Sequence, residues 1–131
     1  MKKYLLIAFA AGAASVSGCR KEECNAGVGG DFTLQIYPQH HGEPIPGATC
    51  FLEFNAQSSP ASASDFDLTV EAGNGSDFIV VKNMRCGDYY ISCVGIDVDS
   101  ASSEIVRGGI PYSISQRAGG EVLKIYVPVS E

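Results

Sequence analysis

Hydrophobic and polar side chains alternate along most of the chain that follows residue 30. The first such stretch places Phe32, Leu34 and Ile36 on one side and polar or amphipathic residues on the other. A period of two is typical of a β-strand that buries one face. Pro38 should end this strand because proline has no amide hydrogen to donate. Seven strands are predicted in all, over residues 31–37, 48–54, 66–70, 78–84, 89–96, 105–115 and 122–129.

Turn-forming residues separate these stretches. Gly73-Asn74-Gly75 is typical of a tight turn, since Gly and Asn accept positive φ. The polar segments at residues 57–64 and 97–104 are expected to be loops. No stretch after the first 18 residues keeps the period of 3.6 that marks a helix. Many short strands at this spacing predict an all-β protein, a seven-stranded antiparallel β-sandwich.

The segment before residue 19 has the layout of a secretory leader. Two lysines precede an apolar run over residues 4–14. That run is too short to span a bilayer, which takes about 20 apolar residues. The sequence Val-Ser-Gly-Cys at residues 16–19 then resembles the lipobox of bacterial lipoproteins. The resemblance implies cleavage after Gly18 and attachment of a lipid to the Cys19 sulfur.

This resemblance divides the chain into a signal peptide at 1–18, a flexible lipidated tether at 19–30 and one β-sandwich domain at 31–131. The alternative is an ordinary secreted protein whose first cysteine pairs with another. The run Lys-Glu-Glu at residues 21–23 resembles the export signal that sends some Gram-negative lipoproteins to the outside of the outer membrane. A solvated charged linker would have the same composition. The predicted location is the bacterial outer membrane, with exposure at the cell surface if the signal is read.

The charge balance excludes some partners. The leader holds two of the nine Lys and Arg residues, so residues 19–131 carry seven basic and 15 acidic side chains, a formal charge near −8. Such a chain, with no basic patch, is not expected to bind nucleic acid. An anionic lipid surface would repel it, so the membrane is expected as a partner only through the lipid.

Four cysteines remain once Cys19 is assigned to the lipid: Cys24, Cys50, Cys86 and Cys93. Four cysteines allow three pairings, and their spacing does not choose among them. None lies in a Cys-x-x-Cys pair, and a zinc site would need closer ligands. Disulfides are therefore favoured over a metal, with free buried cysteines as a third alternative.

Two segments resemble the carboxypeptidase regulatory-like domains, also called prealbumin-like or transthyretin-like. They are Gly-Glu-Pro-Ile-Pro-Gly-Ala-Thr at residues 42–49 and Cys-Gly-Asp-Tyr-Tyr-Ile at residues 86–91. The likeness covers residues 31–129 and implies a Greek-key β-sandwich, prealbumin-like or immunoglobulin-like. It also places Tyr89 like a tyrosine corner, with its ring packed inward and its hydroxyl bonded to backbone upstream.

The same resemblance bears on the cysteines. Members of that family carry an aliphatic residue where Cys50 stands, and Cys93 is likewise unusual at an inward position. Two inward cysteines on separate core strands suggest a bridge between the sheets. Cys50–Cys93 is therefore the preferred pairing, and Cys24–Cys86 is the second.

Two clusters carry the residue types that bind metals. They are His40, His41 and Glu43 in a turn-rich segment, and Asp97, Asp99 and Glu104 in a polar loop. The first cluster shows no further ligand in the sequence around it. The second has Ser102 at the loop position where a calcium site needs glycine. Solvated loops are therefore expected at both places, with no metal and no cofactor.

Catalysis is not expected. The sequence has no Gly-x-Ser-x-Gly elbow, and in carboxypeptidases the resembling module accompanies the catalytic domain without cutting. Candidates for an exposed aromatic contact face are Tyr37, Phe51, Tyr90, Tyr112 and Tyr126, and some of them are expected to point outward. The predicted function is a non-catalytic envelope lipoprotein, a small binding or assembly module that contacts a protein or glycan. The alternative is an accessory structural subunit of a larger outer-membrane complex, with no ligand of its own.

Overall fold

The structure, a computed structural model, describes residues 24–98, 103–116 and 120–131. The predicted leader, Cys19, the charged run at 21–23 and Asp99 lie outside the described residues. The described chain is all-β, with one short 3-10 turn at Ala63–Asp65. Among the described residues, no helix is long and apolar enough to cross a membrane. The strands are β1 (Val28–His40), β2 (Glu43–Pro44), β3 (Thr49–Phe54), β4 (Leu68–Glu71), β5 (Ile79–Met84), β6 (Gly87–Asp97), β7 (Glu104–Ile114) and β8 (Val122–Pro128).

The strands form two sheets with one core between them. In the first, here called the β1 sheet, β1 pairs with β2 and β5 in antiparallel fashion and with β8 in parallel. In the second, the β6 sheet, the order is β4-β3-β6-β7 and every pair is antiparallel. The arrangement is the predicted β-sandwich, with one parallel pair where antiparallel pairing was expected. That pair arises because the chain crosses between sheets after β7, so β8 starts at the end where β1 starts.

Each predicted strand has a counterpart, and the short strand β2 is additional. β1 is longer than expected at both ends, running from Val28 instead of Asp31 and passing through Pro38 to His40. Pro38 is fully buried, and its carbonyl accepts a hydrogen bond from the Ile45 amide at 3.0 Å. Proline lacks only the donor, so β1 keeps its pairing with β8 beyond this residue.

The core is built from every second residue of the long strands. β1 contributes Phe32, Leu34 and Ile36, and β6 contributes Tyr89 and Ile91. Side chains at alternate positions of a strand share a face, which explains why the period in the sequence becomes one buried surface. Full burial of each such aliphatic side chain contributes about 1.5–3 kcal/mol.

The sandwich has two distinct ends. Cys24 and Cys86 lie at the N-terminal end, where β1 begins and β5 finishes. β1 and β6 both finish at the opposite end, called here the distal end, where His40 contacts Asp97. β6 runs from the N-terminal end to the distal end in 11 residues, so the two ends are about 35 Å apart at roughly 3.3 Å per residue.

The chain after β8 joins the two sheets along one side. Arg107 of β7 and Ser130 exchange two backbone hydrogen bonds of 2.9 and 3.0 Å. The next residue, Gly108, lies so close to the Pro128 carbonyl that a side chain there would collide with backbone. The two sheets are therefore in backbone contact where β7 of the β6 sheet meets β8 of the β1 sheet. This contact attaches the β6–β7 hairpin to the β1 sheet.

Candidate functional site

Two disulfides stabilise the domain. Cys24–Cys86, with Cα atoms 4.9 Å apart, ties the segment before β1 to the start of β6. Cys50–Cys93, with Cα atoms 4.1 Å apart, joins β3 to β6. These are the two pairings that the sequence analysis preferred, but the expectation of a bridge between the sheets was wrong. Cys50 and Cys93 are directly opposite each other in the β6 sheet.

The predicted tether overlaps the first strand, because β1 begins at Val28 and not at residue 31.

Tyr89 forms the predicted tyrosine corner at the N-terminal end. Its ring is fully buried and meets the Phe54 ring edge-on, with centroids 5.8 Å apart. Its hydroxyl donates to the Arg85 carbonyl at 2.7 Å and accepts from the Gly27 amide at 2.9 Å. Burial raises the pKa of Tyr89 above 10.0, against the opposing effect of those backbone contacts. The corner fixes the chain segment that leads into β1.

The distal end carries a cluster of histidine and carboxylate side chains. His40 Nδ1 lies 2.6 Å from Asp97 Oδ2, which links the end of β1 to the end of β6. His41 lies against the His40 ring, with centroids 4.1 Å apart. A hydrogen bond with Glu104 raises the pKa of Glu131, and repulsion from the same carboxylate adds to the effect, while His40 and His41 oppose it. The cluster therefore connects β1, β6, β7 and the residues after β8.

The distal end does not assemble a metal site from the described residues. A depression of about 210 Å³ is lined there by three carboxylates, those of Glu43, Asp77 and Asp97. Within the described parts of the chain, however, no group of three or more His, Cys, Asp or Glu residues has an arrangement able to hold a metal. His40 and His41 lie in the cluster described above, and Asp97 is paired with His40.

Three branched aliphatic side chains are exposed at the distal end, and this group is called the distal tip. Ile96 is 52% exposed, Ile105 is 58% exposed and Val98 is 63% exposed. Ile96 and Ile105 are direct partners across β6 and β7, and both point away from the core. Exposed single aliphatics are common, but Ile96 and Ile105 are adjacent, and adjacent exposed aliphatics are of the kind found at protein contacts.

A groove runs along the outer face of the β6 sheet, closer to the N-terminal end of the sandwich than the distal tip is. We call it the Arg107 groove, and its volume is about 310 Å³. Its lining residues are Phe51, Ser59, Pro60, Phe66, Ser92, Cys93, Val94 and Arg107. The Phe51 and Phe66 rings meet with centroids 5.4 Å apart, because the loop between β3 and β4 folds back over the sheet. The groove is therefore mainly apolar, with one cationic side chain.

A row of three aromatic rings crosses the outer face of the β1 sheet. Tyr37 lies between Phe78 and Tyr126, and both centroid distances are 5.2 Å. The interplanar angles are 26° and 27°, so the rings are stacked on one another. The Tyr37 hydroxyl donates to Gln35 Oε1 at 3.1 Å. The Tyr37 ring is therefore covered on both sides, whereas Tyr126 at one end of the row is 54% exposed.

The five aromatic residues singled out from the sequence do not share one face. Tyr37 and Tyr126 lie outside the β1 sheet, whereas Phe51 and Tyr90 lie outside the β6 sheet. Tyr112 packs against the core, and this burial raises its pKa. Tyr112 is therefore not part of an exposed aromatic face, and the other four candidates are divided between two surfaces.

Sequence reasoning missed the residues that form the distal tip and the cationic wall of the groove. Alternation contained a usable signal for Ile96, because it is out of phase with the inward residues Tyr89 and Ile91 of the same strand. The outward position of Ile105 can be inferred from its pairing with Ile96, but only the register of the β6–β7 hairpin shows that pairing. No local signal in the sequence placed Arg107 beside Phe66, which belongs to a distant loop.

Comparison with known proteins gave no relatives: no family model, no curated protein and no solved structure matches this chain.

Proposed function

We propose that this protein is a non-catalytic lipoprotein of the bacterial outer membrane, anchored by a lipid on Cys19, and that its distal tip binds a protein partner in the cell envelope. The observation that carries the proposal is the position of the tip. Exposed Ile96, Val98 and Ile105 lie at the end of the sandwich opposite to the one where the chain enters the domain. The leader and the lipobox resemblance support the anchor.

The proposed anchor and the tip belong to opposite ends. Five residues lead from Cys19 to Cys24, and an extended chain of that length reaches at most about 18 Å. The Cys24–Cys86 disulfide and the Tyr89 corner hold the next residues against the domain. The N-terminal end would therefore stay near the membrane, while the distal tip projects about 35 Å farther from it.

A protein partner fits the exposed surfaces better than a glycan does. Sugars bind proteins by lying on exposed ring faces, and in this row the central Tyr37 ring is covered by Phe78 on one side and Tyr126 on the other. Branched aliphatic side chains such as Ile96 and Ile105 offer no hydrogen bonds to a sugar, but they bury well against an apolar protein surface.

The prealbumin-like Greek-key assignment is part of the proposal. It is supported by the turn at Gly47, whose φ is 70°, and by the hydrogen bonds of the Tyr89 corner. The charged run at residues 21–23 supports placement on the outer face of the outer membrane.

The anchor is tested by fractionation of Cys19→Ser in the native bacterium. We expect the wild-type protein in the membrane fraction and the variant outside it, since no lipid can attach to serine. Membrane association of the variant at the wild-type level would refute the anchor.

The contact surface is tested by affinity purification of the lipidated protein from native envelopes, with quantitative mass spectrometry of what co-purifies. The double variant Ile96→Ser and Ile105→Ser should lose the partner by at least about tenfold. Val80→Ser with Val122→Ser is the matched control, since these aliphatics are 44% and 56% exposed on the outer face of the other sheet. Equal losses in the two double variants would refute the distal tip as the contact.

The alternative is an accessory structural subunit without a ligand of its own, and reconstitution separates it from a binding module. A binding module should re-associate with its isolated partner when both are purified. An accessory subunit should associate only with the assembled complex, and that outcome would replace the leading proposal.

A further inference from the structure

The Arg107 groove has the composition of a small-molecule site. Phe51, Ser92 and Gly109 are consecutive partners across β3, β6 and β7, so they form one row on the outer face. Gly109 has no side chain and the Tyr90 hydroxyl lies over it, while Ser92 lines the groove. The Phe66 ring from the β3–β4 loop covers Phe51. The result is an apolar recess with a short hydroxyl in its lining.

The guanidinium of Arg107 is available to a ligand. Arg107 is the cross-strand partner of Val94 and lies diagonally from Ser92, within reach of a long side chain. Its backbone is held by Ser130 through two hydrogen bonds, so the side chain starts from a fixed position. Among the residues that the structure describes, no carboxylate forms an ion pair with Arg107. The ion pair found among them joins His40 and Asp97.

The volume limits what the groove can hold. About 310 Å³ is at the lower end of the roughly 300–1,000 Å³ typical of ligand pockets. A compact molecule with one ring or a short aliphatic chain fits that space. A guanidinium that has no ion-pair partner among the described residues, beside apolar walls, favours an anionic group on such a molecule, because a guanidinium binds carboxylates through paired hydrogen bonds.

We propose that the Arg107 groove binds a free, compact apolar carboxylate, with its hydrophobic body against Phe51 and Phe66 and its carboxylate on Arg107 and the Ser92 hydroxyl. This site is separate from the distal tip and does not depend on the protein contact proposed there. The protein would then carry a small ligand on the outer face of the β6 sheet while its tip engages a partner.

The test uses the full-length lipidated protein in detergent, labelled with ¹⁵N and titrated with 3-phenylpropionate. The neutral comparison is 3-phenylpropanamide, which has the same ring and chain but no negative charge. We expect saturable shifts of the Phe51, Ser92 and Arg107 amide signals, and an affinity for the acid at least about tenfold above that for the amide. Equal affinities, or the absence of saturable shifts at these residues, would overturn the proposal.

Variants assign the effect to the groove. Arg107→Gln should reduce the affinity for the acid to that for the amide, because it removes the charge and leaves the backbone bonds to Ser130 in place. Lys124→Gln is the matched control, since this exposed lysine lies on the outer face of the other sheet; it should bind the acid as the wild type does. An equal loss in both variants would show only general charge attraction and would contradict the site.

A contact readout completes the test. Nuclear Overhauser effects should connect the phenyl protons of 3-phenylpropionate with the ring protons of Phe66. Phe66→Ala should weaken binding of the acid and the amide alike, since both lose the same apolar wall. Contacts of the probe with Tyr126, on the opposite sheet, in place of Phe66 would place the ligand elsewhere and refute the assignment.

Discussion

Removal of the Tyr89 hydroxyl tests how strongly the tyrosine corner stabilises the N-terminal end. In Tyr89→Phe the ring still fills its place in the core, but the Gly27 amide loses its 2.9 Å acceptor and the Arg85 carbonyl loses its 2.7 Å donor. Gly27 is itself buried, so water cannot replace the lost acceptor. A buried polar group left unpaired costs about 1–3 kcal/mol. We therefore expect the free energy of unfolding to fall by about 2 kcal/mol, a large part of a typical total of about 5–15 kcal/mol.

Urea unfolding of the oxidised protein, followed by circular dichroism, measures this change. The midpoint should fall while the slope with urea stays the same. Tyr112→Phe is the control, because Tyr112 is the cross-strand partner of Tyr89 and its hydroxyl has no hydrogen-bond partner among the described residues. It should change the free energy of unfolding by less than about 0.5 kcal/mol. Equal midpoints for the two variants would refute the role assigned to the hydroxyl.

The pH dependence provides a second measurement. Burial raises the pKa of Tyr89 above the ordinary 10.0, so the folded state prefers the neutral phenol. The resulting stability is complete below about pH 10 and is lost as the pH rises through the folded-state pKa. The wild-type free energy of unfolding should thus decrease above pH 10, and Tyr89→Phe should decrease less steeply. A variant with the full wild-type slope would show that Tyr89 does not titrate on unfolding.

The remaining predictions concern the disulfides and the contact between β7 and β8. Loss of either bridge should cost up to about 4 kcal/mol by the chain-entropy relation, since the sequence separations are 62 for Cys24–Cys86 and 43 for Cys50–Cys93. In native buffer a thiol reductant should open Cys24–Cys86 first, because Cys50 and Cys93 are fully buried; alkylation and mass spectrometry would show the order, and prior loss of Cys50–Cys93 would contradict it. Gly108→Ala should lower the free energy of unfolding by about 1–3 kcal/mol, since its new methyl group would meet the backbone of Pro128 at the end of β8; an unchanged urea midpoint would show that the backbone there shifts at no cost.

The alternation of side chains was enough to predict most of the strands. Phe32, Leu34 and Ile36 form an inward face whichever strand lies beside them, because the alternation of a strand is a local property. Tyr89 was recognisable for a similar reason, since a tyrosine corner bonds to backbone only a few residues upstream.

Features that depend on pairing could not be derived in this way. Pro38 was expected to end β1, but the partners that let the strand continue come from residues 45 and 122–128. Cys50 and Cys93 were both recognised as inward residues, yet only the strand order shows that they share one sheet. Phe66 was assigned to a strand because it alternates with Leu68 and Val70, and in the structure it lies in the loop that covers the Arg107 groove.

By itself, then, the sequence determined the all-β class, the positions of most strands and the residues of the core, because these follow from alternation along each strand. Only the tertiary structure decided which strands are neighbours, where the cysteine bridges lie and which side chains meet on the outer faces. The physical reason is that Arg107, Ser92 and Phe66 come together through strand register and loop folding, and both join residues that are far apart in the chain.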